Sequence, residues 1–93
     1  MDSVMTNNMK RCFLCGSRGP LQIHHCIHGT ANRKNSEHYG LKVPLCMECH
    51  TGPNGVHNNR KKDLQLIVLA QLKFESLYGD REEFRKVFGK SWL

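Results

Sequence analysis

Two C-x-x-C pairs, Cys12/Cys15 and Cys46/Cys49, stand thirty residues apart in a chain of 93, and the segment QIHHCIHG between them packs His24, His25, Cys26 and His28 together. Four thiolates offered by two knuckles suit tetrahedral zinc, at about 2.3 Å per Zn–S bond. That donor set saturates the ion and leaves no position for water, so the metal is expected to hold the fold and take no part in chemistry. The histidines suggest different work. His50 directly follows the last cysteine, so a zinc that ties residues 12–15 to residues 46–49 also draws His50 toward the His24–His25 pair. Hydrolysis of a phosphate ester needs a base for water and a cation for the developing charge, and a histidine pair on a strand with a third histidine opening a helix can supply both. Cys26 lies outside both cysteine pairs and reads as a small buried hydrophobe.

These groups need elements to carry them. CFLCGSRGP reads as a tight knuckle. LQIHHCI alternates, with Leu21, Ile23, His25 and Ile27 on one face and Gln22, His24 and Cys26 on the other, which is the period of a short strand. His24 and His25 therefore leave the strand on opposite sides. HGTANRKNSEHYG is polar and rich in Gly and Asn and reads as a loop, after which LKVPLC is a second strand that runs into the second cysteine pair. MECH starts a helical turn that TGPNG interrupts. Asn58 or Asn59 then caps a long helix reaching about Tyr78 and stopped by Gly79. Its apolar residues form two stripes, Ile67/Ala70/Phe74/Leu77/Tyr78 and Leu64/Val68/Leu72, so either the core wraps the helix on two sides or the second stripe is a surface for a homodimer or a recombination-protein partner. Asp80 and Glu83 resemble a capping box for a last helix, REEFRKVF, that ends at Gly89, with Trp92 and Leu93 docking the terminus.

The formal charge is +6 and the isoelectric point about 9.3. Lys10, Arg11, Arg18, Arg33, Lys34, Arg60, Lys61 and Lys62 all lie near the Cys and His clusters in sequence. A polyanion is the expected partner, nucleic acid ahead of a membrane surface. No apolar run approaches a membrane span. The opening MDSVMTNNMKR lacks the apolar stretch of a secretory signal, so a reducing cytoplasm is expected, where paired cysteines bind metal more often than they form disulfides.

The order C-x-x-C, IHH at a strand end, and PLCMECH leading into a helix resembles the HNH nucleases, whose ββα-metal finger is a β-hairpin and one helix around a divalent ion. The likeness covers about residues 11–60, and within it HHCIHGTANRKNSEHYGLKVPLCMECHTGPNGVHNN is similar to the Ref-like recombination nucleases of phages and prophages. The resemblance implies an α+β fold: a small zinc-stabilised ββα-metal finger with a long C-terminal helix and a short final one. The expected division is a disordered stretch at 1–10, the finger with its four-cysteine zinc at 11–60, and a helical extension at 61–93. It implies His25 as general base, His24 and His50 as ligands of the catalytic ion, and His57 as a further ligand or a phosphate contact. The ion would be Mg²⁺ or Mn²⁺, with Ni²⁺ or Zn²⁺ also suited to imidazole. Where many members have an asparagine nine residues before the final histidine, this chain has Leu41. Asn32, Asn35 or His38 would then brace the loop, Asn32 being favoured. Arg33, Lys34, Arg60, Lys61 and Lys62 would hold DNA phosphates. The competing expectation is a non-catalytic zinc-ribbon-like module that binds DNA or acts as an adaptor, and a redox or metal-storage protein is a weaker one.

Overall fold

The computed structural model describes residues 3–93. Strand β1 (Leu21–His25) pairs antiparallel with β2 (Lys42–Cys46), in a register that sets Leu21 opposite Cys46 and His25 opposite Lys42. Helix α1 (Thr30–Tyr39) lies between the strands in sequence, and α2 (Met47–His50) follows β2 directly. The long α3 (Arg60–Leu77) and the short α4 (Arg81–Phe88) complete a small α+β unit. Alternation alone does not decide what the hairpin buries. His24 faces inward on β1, whereas Ile23, expected beside Leu21, is 47 % exposed. On β2 every residue from Lys42 to Leu45 is buried, because the strand is covered on both faces.

α1 replaces the loop expected from its polar composition. It begins at Gly29, which adopts φ 108°, and ends at Gly40 in the left-handed conformation that a C-terminal glycine accepts without strain. Its own apolarity does not hold it in place; tertiary hydrogen bonds do. Ser36, fully buried, donates to the Ile27 carbonyl at 2.6 Å and accepts from the Ile27 N–H at 3.2 Å. Asn32 and Asn35 donate to the Phe88 and Val87 carbonyls at 3.2 and 3.0 Å, satisfying acceptors that the end of α4 would otherwise leave open.

α3 and α4 start as their sequences indicate. Asn59 accepts from the Lys62 N–H at 3.2 Å, and Asp80 accepts from the Glu83 N–H at 2.9 Å. The buried side of α3 is Asp63, Leu66, Ile67, Ala70, Gln71 and Phe74. Leu77 and Tyr78 do not continue that stripe inward, being 54 % and 40 % exposed, because the helix has passed the end of the core. Gln71 takes their place in an unexpected way, accepting from the Trp92 N–H at 2.8 Å and so fixing the C-terminus. Trp92 packs on the core, whereas Leu93 stays exposed.

One continuous core joins the hairpin to α3 and α4: Cys26, Ile27, Leu41, Val43 and Leu45 pack in the same cluster as Ile67, Phe74, Phe84 and Phe88. Residues of α3 and α4 are thus built into the same core as the hairpin. Within the stretch 1–10, Val4 donates to the Gly40 carbonyl at 2.9 Å, the Ser3 hydroxyl bonds the Lys42 carbonyl, and Val4 and Met5 pack on the core. This docking corrects the expectation of a frayed start for those residues; residues 1 and 2 lie outside the described part. Among the described residues no helix is long and apolar enough to cross a membrane.

Candidate functional site

The four cysteines at 12, 15, 46 and 49 meet as their spacing requires. Their sulfurs all lie within 4.8 Å of one another, and Cys15 Sγ is 3.6 Å from Cys46 Sγ. Thiolates sharing one tetrahedral zinc sit about 3.8 Å apart, so the cluster could hold a structural zinc ion. The first knuckle is shaped by its own turn, with Gly16 N–H donating to the Cys12 carbonyl at 2.8 Å, and is fastened to β2 by the Phe13 N–H on the Pro44 carbonyl at 2.8 Å. Burial pushes the Cys12 thiol up, but the backbone N–H groups of Cys46, Cys15 and Leu14 outweigh it and bring it down to about 6. Cys49 is raised, first by burial and then by the other three sulfurs, as expected of thiols crowded together without a cation. Cys26 stands apart in the core, where burial pushes its thiol up to about 12.

A second cluster forms on the far side of β1. Nitrogens of His24, His50 and His57 lie within 4.8 Å of one another, and His50 Nε2 is 3.0 Å from His57 Nε2. Imidazole nitrogens bound to one ion at about 2.1 Å stand roughly 3.0–3.4 Å apart, so the donor set fits a transition-metal ion. His24 is 3 % exposed, and among the described residues its Nε2 has no hydrogen-bond partner. A buried nitrogen in that condition calls for a ligand. Burial first, then the neighbouring His50, His57 and His28, holds His24 down at about 4, so it is neutral and able to donate its lone pair at neutral pH. His50 is likewise lowered by burial and by His57. Gln22 Oε1 can only accept, so His50 donates to it from Nδ1 and leaves Nε2 for a metal.

His57 reaches the cluster because the loop 51–58 folds tightly back over α2. Val56 N–H donates to the Cys49 carbonyl at 2.8 Å, and His57 N–H to the His50 carbonyl at 3.1 Å. The approach requires glycine. A Cβ on Gly55 would lie 2.8 Å from the His50 backbone, and one on Gly52 would lie 2.6 Å from the Glu48 carbonyl oxygen.

His24, His25, His28, His50 and His57, with Gly29, Thr30 and Arg33, line one cleft of about 470 Å³. His25 is partly buried and its Nε2 bonds Glu37 Oε1 at 2.9 Å, while Lys42 Nζ bonds the other carboxylate oxygen. The Lys42 and His25 hydrogen bonds hold the Glu37 carboxyl at about 2. Asn32, expected to brace the base, points instead to α4 as described above, Asn35 does the same, and exposed His38 stacks edge-on against Tyr39. Glu37 was not legible as a partner of His25, because only the helical geometry of α1 places it there.

His28 Nε2 donates to both carboxylate oxygens of Asp63, at 2.9 and 3.1 Å, and Asp63 also accepts from Arg60 at 2.9 Å. Asp63, in the first turn of α3, is the other group that the sequence did not single out; no local signal joins it to a histidine 35 residues earlier. Of the basic residues, Arg33 borders the cleft, Lys34 and Lys61 are exposed, Arg60 is tied to Asp63, and Lys62 donates to the Asn54 carbonyl at 2.7 Å. Compared with known protein families, with curated proteins and with solved structures, the chain matches none.

Proposed function

We propose that the protein is a divalent-metal-dependent DNA endonuclease in which the hairpin and α2 act as a ββα-metal finger of the HNH type. One observation carries this reading: three imidazoles, one of them with an orphaned buried nitrogen, converge in the same cleft as a fourth histidine that is held by a carboxylate. A closed zinc ribbon needs none of these. His25 is the general base, with Glu37 holding its Nε2–H so that Nδ1 is the nitrogen that takes the proton of the attacking water. His24, His50 and His57 are the ligands of the divalent ion, which when bound supplies positive charge to a phosphate oxygen and the leaving 3′-oxygen. Imidazole donors favour Mn²⁺, Ni²⁺ or Zn²⁺ over Mg²⁺, so those three should bind well in vitro even if Mg²⁺ or Mn²⁺ is the ion that works in cells.

The cysteine cluster carries a separate structural zinc. Arg33, Lys34 and Lys61 are the cations for backbone phosphates, with Arg60 and Lys62 committed partly to Asp63 and to the Asn54 carbonyl. The likeness of residues 11–60 to Ref-like nucleases makes phage recombination the fitting setting, with 5′-phosphate and 3′-hydroxyl ends as products.

Supercoiled plasmid incubated with the protein and Mn²⁺ or Mg²⁺ is expected to be nicked. His25→Ala should lower the rate by about 10²-fold or more while metal binding is kept. DNA binding without nicking under any of these ions would leave the zinc-ribbon-like adaptor as the correct description.

A further inference from the structure

We propose that the N-terminal turn of α1, together with Arg33, is an anion seat in the histidine cleft and receives a phosphate of the nucleic-acid backbone. That the anion is a backbone phosphate rests on the nuclease reading; the seat itself rests on the cleft. Gly29, Thr30 and Arg33 line the same cavity as His24, His50 and His57. α1 is ten residues long, its N-cap is a glycine without a side chain to turn back, no side chain caps it, and its first turn holds no acidic residue. The first intrahelical bond runs from the Arg33 N–H to the Gly29 carbonyl at 2.8 Å, so the N–H groups of Thr30, Ala31 and Asn32 precede it and point out of the helix end. Helix ends of this kind attract anions through those N–H groups and the aligned peptide dipoles. Helices α3 and α4 are closed to this use, α3 by Asn59 with Asp63 and α4 by Asp80 with Glu82 and Glu83.

Two further observations place a ligand in this cleft. The first is His24 Nε2, nearly fully buried and unpartnered among the described residues, which opens on the same cavity. The second is a charge count. No Asp or Glu lines the cleft itself, and the nearest carboxylates, Asp63 on His28 and Glu37 on His25, are already shared with Arg60 and Lys42, so a divalent cation on the imidazoles would leave excess positive charge in the wall. An anion would offset that excess, and the wall that receives it is the amide-rich end of α1 flanked by the Arg33 guanidinium. A backbone phosphate brings one negative charge and two unesterified oxygens, one for each side of the cleft.

The test is a titration of the ¹⁵N-labelled full chain, with zinc on the cysteines and Zn²⁺ or Mg²⁺ added for the histidines, with inorganic phosphate. The Thr30, Ala31 and Asn32 amide signals should shift saturably. Arg33→Ala should weaken phosphate binding about tenfold, with partial recovery in Arg33→Lys. Thr30→Glu adds an acidic group to the first turn, so it should raise the melting temperature of the protein while weakening phosphate by about tenfold or more. A merely structural role for this turn would not separate those two effects. Silent amides, or phosphate affinity unchanged in both Thr30→Glu and Arg33→Ala, would overturn the seat. Phosphate binding here without DNA cleavage leaves the seat standing and removes the nuclease reading, whereas cleavage with silent amides removes the seat alone.

Discussion

At the scale of single residues, the cleft separates groups that must stay neutral from one that must stay charged. Glu37, held at about 2 by Lys42 and His25, is an anion across the neutral range and accepts from His25 there. Glu37→Gln keeps an acceptor but loses the charge, and Glu37→Ala loses both. Nicking rates should fall in that order, with the alanine variant slower by about 10–100-fold and divalent-ion affinity unchanged. Equal rates for Glu37→Ala and the parent protein would show that the carboxylate does not serve the base. His24 behaves oppositely. In the fold it resists protonation down to about 4, whereas in the unfolded chain it takes a proton near its ordinary 6.5. Unfolding therefore draws in a proton between those values, and the stability present above pH 6.5 is lost as pH falls toward 4. Without metal on the histidines, the fall in unfolding free energy over that window should be shallower in His24→Leu than in the parent, as denaturant titrations at several pH values can measure.

At the scale of elements, the sequence was informative wherever a pattern is local and silent wherever a partner is distant. The strands, the Asn59 and Asp80 caps and the close of α4 at Gly89 all follow from signals within a few residues. α1 could not be read in that way, since its inward side is Ser36, Asn32 and Asn35 rather than an apolar stripe, and its anchors lie nine to 56 residues away. Missing that helix also meant missing Glu37 as a partner of His25. The cysteine cluster was legible because its spacing fixes it before any helix is placed, and the approach of His50 to His24 follows from it. What the spacing did not reveal is how closely loop 51–58 presses on α2, which is the feature that delivers His57. Gly55→Ala forces its new methyl against the His50 backbone, so it should displace His57 and weaken Mn²⁺ binding about tenfold or more, seen by calorimetry. Asn59→Ala acts on the other side of that loop by removing the α3 cap, and should cost about 1 kcal/mol of stability. It should leave Mn²⁺ affinity nearly unchanged, since the His50–His57 backbone bond does not depend on the cap.

At the scale of the whole molecule, the two clusters are linked because β2 runs directly into α2, which carries His50 from the Cys46 end of the hairpin to His24. Cys46 closes β2 opposite Leu21, and His50 follows one short turn later, so whatever fixes Cys46 and Cys49 also fixes the angle from which His50 meets His24. The core beneath is continuous from Val43 and Leu45 to Phe74 and Phe84, and a chain of this size has little other apolar surface to bury. Loss of the cysteine metal should therefore be felt by the whole fold. One zinc per chain is expected to survive preparation at low free metal. A strong chelator should then produce a single cooperative loss of helical circular dichroism together with loss of Mn²⁺ binding at the histidines. Cys15→Ser should lower the zinc content and mimic the chelator. Cys26→Ala, which lies outside the cluster, should keep full zinc and show only the stability loss of a trimmed buried side chain, on the order of 1 kcal/mol. If the chelator instead loosened only the knuckle around residues 11–20 while Mn²⁺ affinity and the remaining helical signal persisted, the hairpin would be holding His24 and His50 by its own packing, and the zinc would serve only the N-terminal turn.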